Sequence, residues 1–559
     1  MQGGKNNKNQ LDMDNNPFYI KEETDFNDIP LISIKEVEKT NLYTNPAFQT
    51  KMQLAVKEEN ALNILLEDAQ VIDFAFEANG DLVLSLREEL ENAKDLKTKE
   101  NVEKQIQKLT PKLPQKYVII MHKLLELAQQ KSLGVGMSNE RFLYFNRIHW
   151  VQKEHSFLSS FLGEFAQKCG LEEAQQSRVK EDLLKQFKSD AEIPEFNKKP
   201  SEIRIPLKNC TIIFKNGKVE VTGFKMEHYS TYQLSFVYDP EAKAPIFQKF
   251  LDRVLPDRKL QYILLEFMGY CFVKGMTIEK MLLLFGSGRN GKSVINDIIH
   301  AVFGRENVTS FAVTSLCDSK GQTRPFIENT LLNYSQEFGS GKFDLDIFKI
   351  LVSNQKIEVK KLYQNPYIIE NYGRIASNCN VLPRVTENKD AFYRRLIILP
   401  FKEKIPEEEI DINLASKIIS NELSGVFNMV IEGMKRLVKQ NNFTYSEIVE
   451  EELRKYRNES NSVLIFLDDE NYLPLKTEKV KISDFFQTYN NYCARNNYQP
   501  FAMGKFKEQL RDAGYEISKS NQNYFYFYYG KKKLDNVKGD NNDANYLDLF
   551  QKFLPNNQM

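Results

Sequence analysis

The chain has 559 residues, 42% of them hydrophobic, and 76 Lys and Arg exactly balance 76 Asp and Glu. That length exceeds one hydrophobic core and implies roughly three or four domains. Neutrality excludes a polycation that coats nucleic acid along its whole surface, so any such contact must be a local patch. No apolar run approaches the ~20 residues of a membrane span, which excludes an integral helical membrane protein.

The polar opening, Met-Gln-Gly-Gly-Lys-Asn-Asn-Lys, does not read as a secretory signal. Six cysteines (169, 210, 271, 317, 379, 493) stand singly without a C-x-x-C pair, which argues against a zinc site or disulfide framework and for a reducing cytoplasm. Residues 1–48 are rich in Asn, Lys and Asp without periodicity and are expected to be a flexible arm. Helical spacing follows over 49–67. Alternation around Asn79-Gly80 predicts a β-hairpin over 71–86, and 87–108 predicts a charged, solvated helix.

Helical stretches continue to about residue 190, after a segment holding the single tryptophan, Trp150. A second Asn-Gly hairpin is expected over 212–221, and helices over 246–254 and 258–274. The apolar run 281–285 then enters Gly286-Ser287-Gly288-Arg289-Asn290-Gly291-Lys292-Ser293, a G-x-x-x-x-G-K-S loop, and 294–299 continues as an amphipathic helix. Backbone N–H groups at Gly286, Gly288 and Gly291, with the helix N-terminus, suit a polyphosphate. In that pattern Lys292 reaches the β/γ-phosphates and Ser293 a Mg²⁺ ion, so ATP and Mg²⁺ are the expected ligands.

A phosphate cradle hydrolyses nothing without a carboxylate to position water, a polar group on a neighbouring strand and a cation for the transition-state charge. Strand 331–335 delivers Glu337, which also stands as a second Mg²⁺ candidate. Strand 375–378 ends in Asn378, and Arg394-Arg395 precedes strand 396–400. Taken singly, such residues are a solvated carboxylate, a turn amide and surface charge; their order after the glycine loop is what singles them out.

Beyond the long helix of 412–440, residues 445–533 read as a separate small domain. Helices over 482–496 and 503–513 precede a hairpin over 515–529, which is the winged-helix order. Lys505, Lys507 and Arg511 on its second helix, with Lys519 near the hairpin tip, are candidates for duplex contact. The run Tyr524-Phe525-Tyr526-Phe527-Tyr528-Tyr529 alternates between two faces and reads as hairpin core plus exposed edge, not as a base-stacking platform.

The elements from Gly286 to Arg395 resemble the superfamily-3 DNA helicases of the phage/plasmid and poxvirus helicase-primase family. The resemblance extends to Tyr232-Gln233-Leu234, Tyr238-Asp239-Pro240-Glu241-Ala242, Glu266-Phe267-Met268-Gly269-Tyr270 and Tyr456-Arg457, covering about 138–533 and not the first 137 residues. It implies an α/β fold with a P-loop AAA+ core at 275–440. A helical α+β domain at 138–274 precedes the core, after a region of unassigned role at 49–137. A winged-helix-like domain at 445–533 and a flexible tail at 534–559 follow it. It implies ATP-driven unwinding by a ring, expected to be a hexamer, with Lys292, Glu337 and Asn378 acting in cis and Arg394 or Arg395 reaching a neighbour's ATP. Lys349, Lys356, Lys360 and Lys361, with Tyr363, fall where that family places a pore hairpin holding one DNA strand.

Two departures stand out: Gln336 where an acidic metal partner is expected, and Ser353-Asn354-Gln355 where Gly-Asp is common. Asn354 suits a left-handed turn in such a hairpin. No acidic triad marks a primase in residues 1–140 and no His-x-His a nickase, so the chain reads as a stand-alone helicase in a bacterial host cytoplasm, which leaves room for a separate primase or polymerase as partner. The alternative is an ATP-dependent origin-binding initiator without processive unwinding. In the tail, Leu547-Asp548-Leu549-Phe550 resembles the peptides by which bacterial replication proteins dock on a sliding clamp, the alternative being a short amphipathic helix.

Overall fold

The computed structural model describes residues 61–531, apart from 139–140, 194–201, 342, 363–364, 384–389, 460, 497, 499 and 523, together with residues 32–33. The clamp-like peptide at 547–550, Tyr363 and nearly all of the N-terminal arm lie outside the described residues.

From residue 61 the chain builds one helical unit around a small antiparallel sheet. Helices Leu113–Gln130, His155–Lys168 and Ser177–Asp190 pack on strands Gly134–Ser138, Arg141–Phe145 and Trp150–Lys153. Leu65, Ile120, Leu124, Phe142, Leu162 and Phe187 share its core. The expected boundary at 137/138 therefore runs through a single core and is corrected: the first unit spans 61–191.

The expected hairpin at 71–86 is also corrected. Helices Phe74–Asn79 and Asp81–Asn92 occupy it, hinged at Gly80. Asp73 caps the first by accepting from Phe76 N at 3.1 Å, and Asn79 Nδ2 donates to Ala75 O and Leu109 O instead of shaping a two-residue turn. The buried positions Val83 and Leu86 lie three apart, so helical period wins over apparent alternation. The charged stretch after it divides into Asp81–Asn92 and Leu96–Leu109, the latter started by Asp95.

The second Asn-Gly hairpin is present as strands Thr211–Lys215 and Lys218–Thr222, with Asn216 (φ 51°) and Gly217 (φ 76°) in the left-handed region that such a turn requires. Strand Ile203–Pro206 and residues Ile32–Ser33 complete that sheet.

Five parallel strands form the central sheet: β1 (Met281–Phe285), β2 (Val308–Thr309), β3 (Leu332–Ser335), β4 (Arg374–Cys379) and β5 (Leu396–Pro400), in the order β5-β1-β4-β3-β2. The chain is thus mixed α/β. Both faces are covered, so successive residues of one apolar strand enter different cores. Leu282 and Leu284 of β1 pack with helix Lys292–Phe303 and with Leu264 and Phe427 of helices Arg258–Tyr270 and Leu414–Gln440. Met281 and Leu283 pack with Phe348, Phe392 and Tyr456. The first of these cores also holds Ile205 and Phe247, so most of residues 203–274 join the central sheet, while Met226 and Tyr229 pack on Leu143, Phe145 and Trp150 of the first unit.

Helix Glu447–Glu459, expected in the C-terminal domain, sends Leu453 and Tyr456 under the central sheet. The C-terminal core begins after it. Helices Ser462–Asp469, Ile482–Arg495 and Met503–Asp512 pack with strands Tyr472–Lys481, Ser518–Lys519 and Phe525–Lys531 around Phe466, Phe485, Tyr489, Phe506 and Phe527. The helix–helix–hairpin order is as expected, with one extra strand closing the sheet. Among the described residues no helix is long and apolar enough to cross a membrane.

Candidate functional site

The chain leaves β1 for a far edge strand, and β5 later lands on the other side of β1. The carboxyl end of β1 is therefore the sheet's topological switch point, where a crevice opens. The 286–293 loop sits there. Gly286 N donates to Cys379 O at 3.1 Å, and Phe401 N donates to Phe285 O at 2.6 Å, so the ladder holds the end of β1 and the loop's first residue from either side. The Gly286 N–H, expected to face phosphate, is thereby spent on the sheet.

The backbone then turns through Gly288 (φ 97°), Arg289 (φ 51°) and Gly291 (φ 84°) into helix Lys292–Phe303. Asn290 is buried and donates through Nδ2 to Phe401 O at 2.9 Å, pinning the loop's centre. A Cβ at Gly291 would lie 2.8 Å from Val254 Cγ1 and 2.9 Å from Phe250 Cε2, so the loop seats against helix Pro245–Val254 only with glycine there. At Gly288 a Cβ would meet open space.

Lys292 is buried; its Nζ donates to Gly286 O at 2.6 Å and to Asn290 Oδ1 at 3.1 Å, and burial holds its pKa below the ordinary lysine value. Ser287, Arg289 and Ser293 are exposed. No side chain caps the helix that Lys292 begins.

On the neighbouring strands, Asn378 of β4 pairs with Leu284 of β1 and is buried. Tyr334 of β3 donates its hydroxyl to Asn378 Oδ1 at 2.6 Å, and Asn378 Nδ2 donates to Gln336 Oε1 at 3.0 Å. Gln336, noticed in the sequence only as the absence of an acid, is thus the partner that orients Asn378. Burial raises the Tyr334 hydroxyl well above its usual pKa, so it stays a donor. Glu337 follows exposed, with Phe338 buried behind it. The Asn378 amide, the Glu337 carboxylate and the loop all stand at one end of the sheet.

These residues fit a nucleoside triphosphate and Mg²⁺. The loop offers an uncapped helix start, a lysine already bonded to oxygen acceptors, an exposed serine hydroxyl and a spacious glycine turn.

The two arginines divide sharply. Arg395 is buried, with Nη2 2.7 Å from Glu279 Oε2, Nη1 donating to Ala391 O at 2.7 Å and contacts to Ser353 Oγ. Burial lowers its pKa and Glu279 opposes that shift. Arg394 is exposed. Both precede β5, whose Leu396 pairs with Met281, so they sit at the amino end of the sheet, opposite the loop.

The basic stretch forms a hairpin of strands Ile357–Val359 and Tyr367–Ile369, entered through Asn354 in the left-handed region (φ 51°). Lys349 lies on helix Leu345–Val352 and pairs with Asp346 at 2.8 Å; Lys356 pairs with Glu370 at 2.5 Å. Lys360 is exposed just past the first strand, and Lys361 is half-buried. Two contacts had no sequence signal. Glu328 ion-pairs with Arg141 of the first unit, whose guanidinium lies 5.9 Å from the Tyr367 ring. Arg374 stacks 3.8 Å from the Tyr270 ring and donates to Val273 O and Met276 O, fastening β4 to the segment before β1. On helix Met503–Asp512, Lys505 pairs with Glu508, Lys507 lies 4.1 Å from the Phe525 ring and Arg511 is exposed.

Residues 118–256 match a family model described as D5 N terminal like, and residues 284–395 match a family of unknown function, DUF5906. Two viral proteins are similar: "Putative helicase L207/L206" of Acanthamoeba polyphaga mimivirus and "Putative helicase 121R" of Invertebrate iridescent virus 3. The first is 27% identical over 169 residues, 28% of this chain and 17% of that protein; the second is 21% identical over 326 residues, 50% and 34% respectively. By these matches the chain is similar to viral helicase-primase proteins. The matched stretches span well under half of either viral relative. Among solved structures, an apo form of the NrS-1 C terminal region overlays with a TM-score of 0.38 at 12% identity, covering 62% of this chain and 77% of that one. Its 305–718 form gives 0.39 at 10% identity, covering 73% and 98%.

Proposed function

We propose that this superfamily-3 helicase-primase-like chain is an ATP-dependent DNA helicase whose P-loop AAA+ core hydrolyses ATP and drives strand separation within a ring of copies. The observation that carries this reading is the glycine loop at the switch point of the sheet, opening a helix with Lys292 and Ser293. Bound ATP with Mg²⁺ supplies the phosphoanhydride and the charge neutralisation for its cleavage. Lys292 and the loop amides hold the phosphates, Ser293 stands ready for the metal with Glu337, and Glu337 orients water. Asn378, fixed by Tyr334 and Gln336, reports the terminal phosphate to the sheet.

Arg394 supports the ring. Five strand residues at ~3.3 Å each separate it from the loop by roughly 17 Å, a distance that supports a role at the site of another copy. The helicase names of the two viral relatives agree with the reading. DNA partners are the strand held by the hairpin lysines and the duplex ahead of it.

The test is ATP turnover with and without single-stranded DNA, together with strand displacement on forked duplex. Wild-type protein should show both, Glu337→Gln should bind ATP yet lose ~10² or more in turnover, and Lys292→Ala should lose productive binding. Near-normal turnover in Glu337→Gln would remove the carboxylate assignment. DNA-stimulated turnover without displacement would favour an origin-bound switch.

A further inference from the structure

The C-terminal sheet has a second face. Strand Phe525–Lys531 turns Phe527 inward against Phe485 and Tyr515, while Tyr524, Tyr526 and Tyr528 line the opposite side. Their ring centroids are spaced 6.3 and 5.9 Å apart in succession. On the adjacent strand Lys479 stands directly across from Tyr528 and Lys481 across from Tyr526, so both lysines share the tyrosine face. Lys479 Nζ lies 3.8 Å from the Tyr526 ring centroid and Lys481 Nζ 5.0 Å from that of Tyr524. Tyr528 is 37% exposed, Tyr524 and Tyr526 are half-buried, and both lysines are exposed. On the other flank Ser518 pairs with Tyr526. No carboxylate occupies these paired positions; Glu478 pairs with Tyr529 and accepts its hydroxyl on the core side.

We propose that this face binds single-stranded nucleic acid, with bases stacked on the tyrosine row and Lys479 and Lys481 meeting the phosphates. Glu516, on the flank beyond Ser518, is taken up by Lys476, so Lys479 and Lys481 leave the face positively charged and suited to a polyanion. Same-face positions of a strand repeat at about 6.6–6.8 Å, twice the ~3.4 Å rise per nucleotide of a duplex strand, which suits a stretched single strand with splayed bases. Exposed lysine–ring contacts are weaker than base–aromatic stacks, so a base displaces the ammonium toward the backbone. The expected alternation of residues 524–529 is present, but the proposal reverses the expectation that the run is no base-stacking platform: the registry of the facing strand, invisible in the sequence, sets Lys479 and Lys481 beside its outer half. The proposal stands apart from the ATPase reading, since it requires no nucleotide.

The experiment uses the full chain carrying Lys360→Ala and Lys361→Ala, which removes the two lysines at the hairpin turn, without nucleotide. Anisotropy of a labelled oligothymidylate of about 15 nucleotides, near the upper site size of sheet-based binders, reads affinity. Binding should persist in this background and fall about tenfold or more with Tyr524→Ser, Tyr526→Ser and Tyr528→Ser, while the three Phe replacements retain most of it. Lys479→Gln with Lys481→Gln should lower the salt slope by about 1.4, at ~0.7 per phosphate. A duplex of equal length should compete poorly, and an oligouridylate arm tells whether RNA serves as well as DNA. No binding in the background, unchanged affinity in a folded serine triple, or equal competition by duplex would overturn the proposal. If the serine triple loses its fold, an unchanged salt slope in the lysine pair overturns it alone.

Discussion

At the scale of single residues, neighbours in sequence have opposite fates. Arg394 and Arg395 are chemically identical, yet Arg395 is enclosed by Glu279, Ala391 O and Ser353 while Arg394 reaches solvent. A buried arginine already paired in this way is an anchor of β5 and has no freedom to serve a second partner. His149 makes a different kind of statement. Burial beside Trp150 depresses its pKa to about 4, and burial with Arg204 does the same for His228. Their unfolded values lie near 6.5, so between ~6.5 and ~4 the unfolded chain binds protons that the folded chain refuses. Stability contributed by the two rings is therefore full above about pH 6.5 and is lost as pH falls toward 4, by at most ~1.4 kcal/mol per pH unit for each ring. Part of each ring reaches solvent, so the realised slope is smaller. Urea unfolding followed by Trp150, the single tryptophan, should show its midpoint dropping from about pH 7 to about pH 5, and His149→Gln should flatten the decline. A flat wild-type profile would contradict the burial argument.

At the scale of elements, local chemistry succeeded where turn residues had no competitor. Asn216-Gly217 makes its hairpin because Thr211–Lys215 and Lys218–Thr222 find sheet partners on both sides. Asn79-Gly80, the same dipeptide, is absorbed between helices because Asp73 caps one of them and the Asn79 side chain is drawn to Leu109 O. The basic hairpin shows the same dependence on surroundings. Of its expected strand-binding lysines, Lys349 and Lys356 are already ion-paired and Lys361 is half-buried, whereas Lys360 is exposed at the turn. Lys360→Ala should therefore weaken single-strand binding equally for all sequences and shallow its salt slope by about 0.7 log units, with Lys356→Ala having a smaller effect. Equal slopes for wild type and Lys360→Ala would put the hairpin outside the strand's path. The Arg141–Glu328 pair ties the base of this hairpin to the first unit across 187 residues of sequence.

At the scale of the molecule, the two ends of one parallel sheet carry the two parts that the proposed ATPase needs. The loop, Asn378 and Glu337 stand at the carboxyl end; Arg394 stands at the amino end, out of reach in the same chain. In the proposed ring, head-to-tail association would bring one end against the other, and closure of the rotation would complete it. Mixing Arg394→Ala with Lys292→Ala protein should rebuild interfaces that join an intact loop to an intact arginine, and recover part of the turnover that each variant lacks alone. Assembly without recovery at any mixing ratio would assign Arg394 a role within its own chain or none. Arg395→Ala is the contrasting variant: it should lower the thermal midpoint by leaving Glu279 without its partner, which Arg394→Ala should not do.

Contiguous chemistry determined a great deal on its own. The glycine loop, the strands at 281–285 and 396–400, the Asn378 strand end and the long helix after residue 412 all follow from residues adjacent in the chain. Their signals are turn chemistry, apolar period and helix capping, and each acts within a few residues. Tertiary structure decided what depends on distant partners. It placed residues 61–137 and 138–191 in one core, because Ile120 and Leu124 meet Phe142 and Phe187. It gave helix Glu447–Glu459 to the central sheet and chose between the two arginines. It also converted Gln336 from a missing acid into the residue that fixes Asn378. The physical reason is the same in each case: burial, hydrogen-bond partners and strand register are properties of pairs of segments, and a single segment carries no record of its partner.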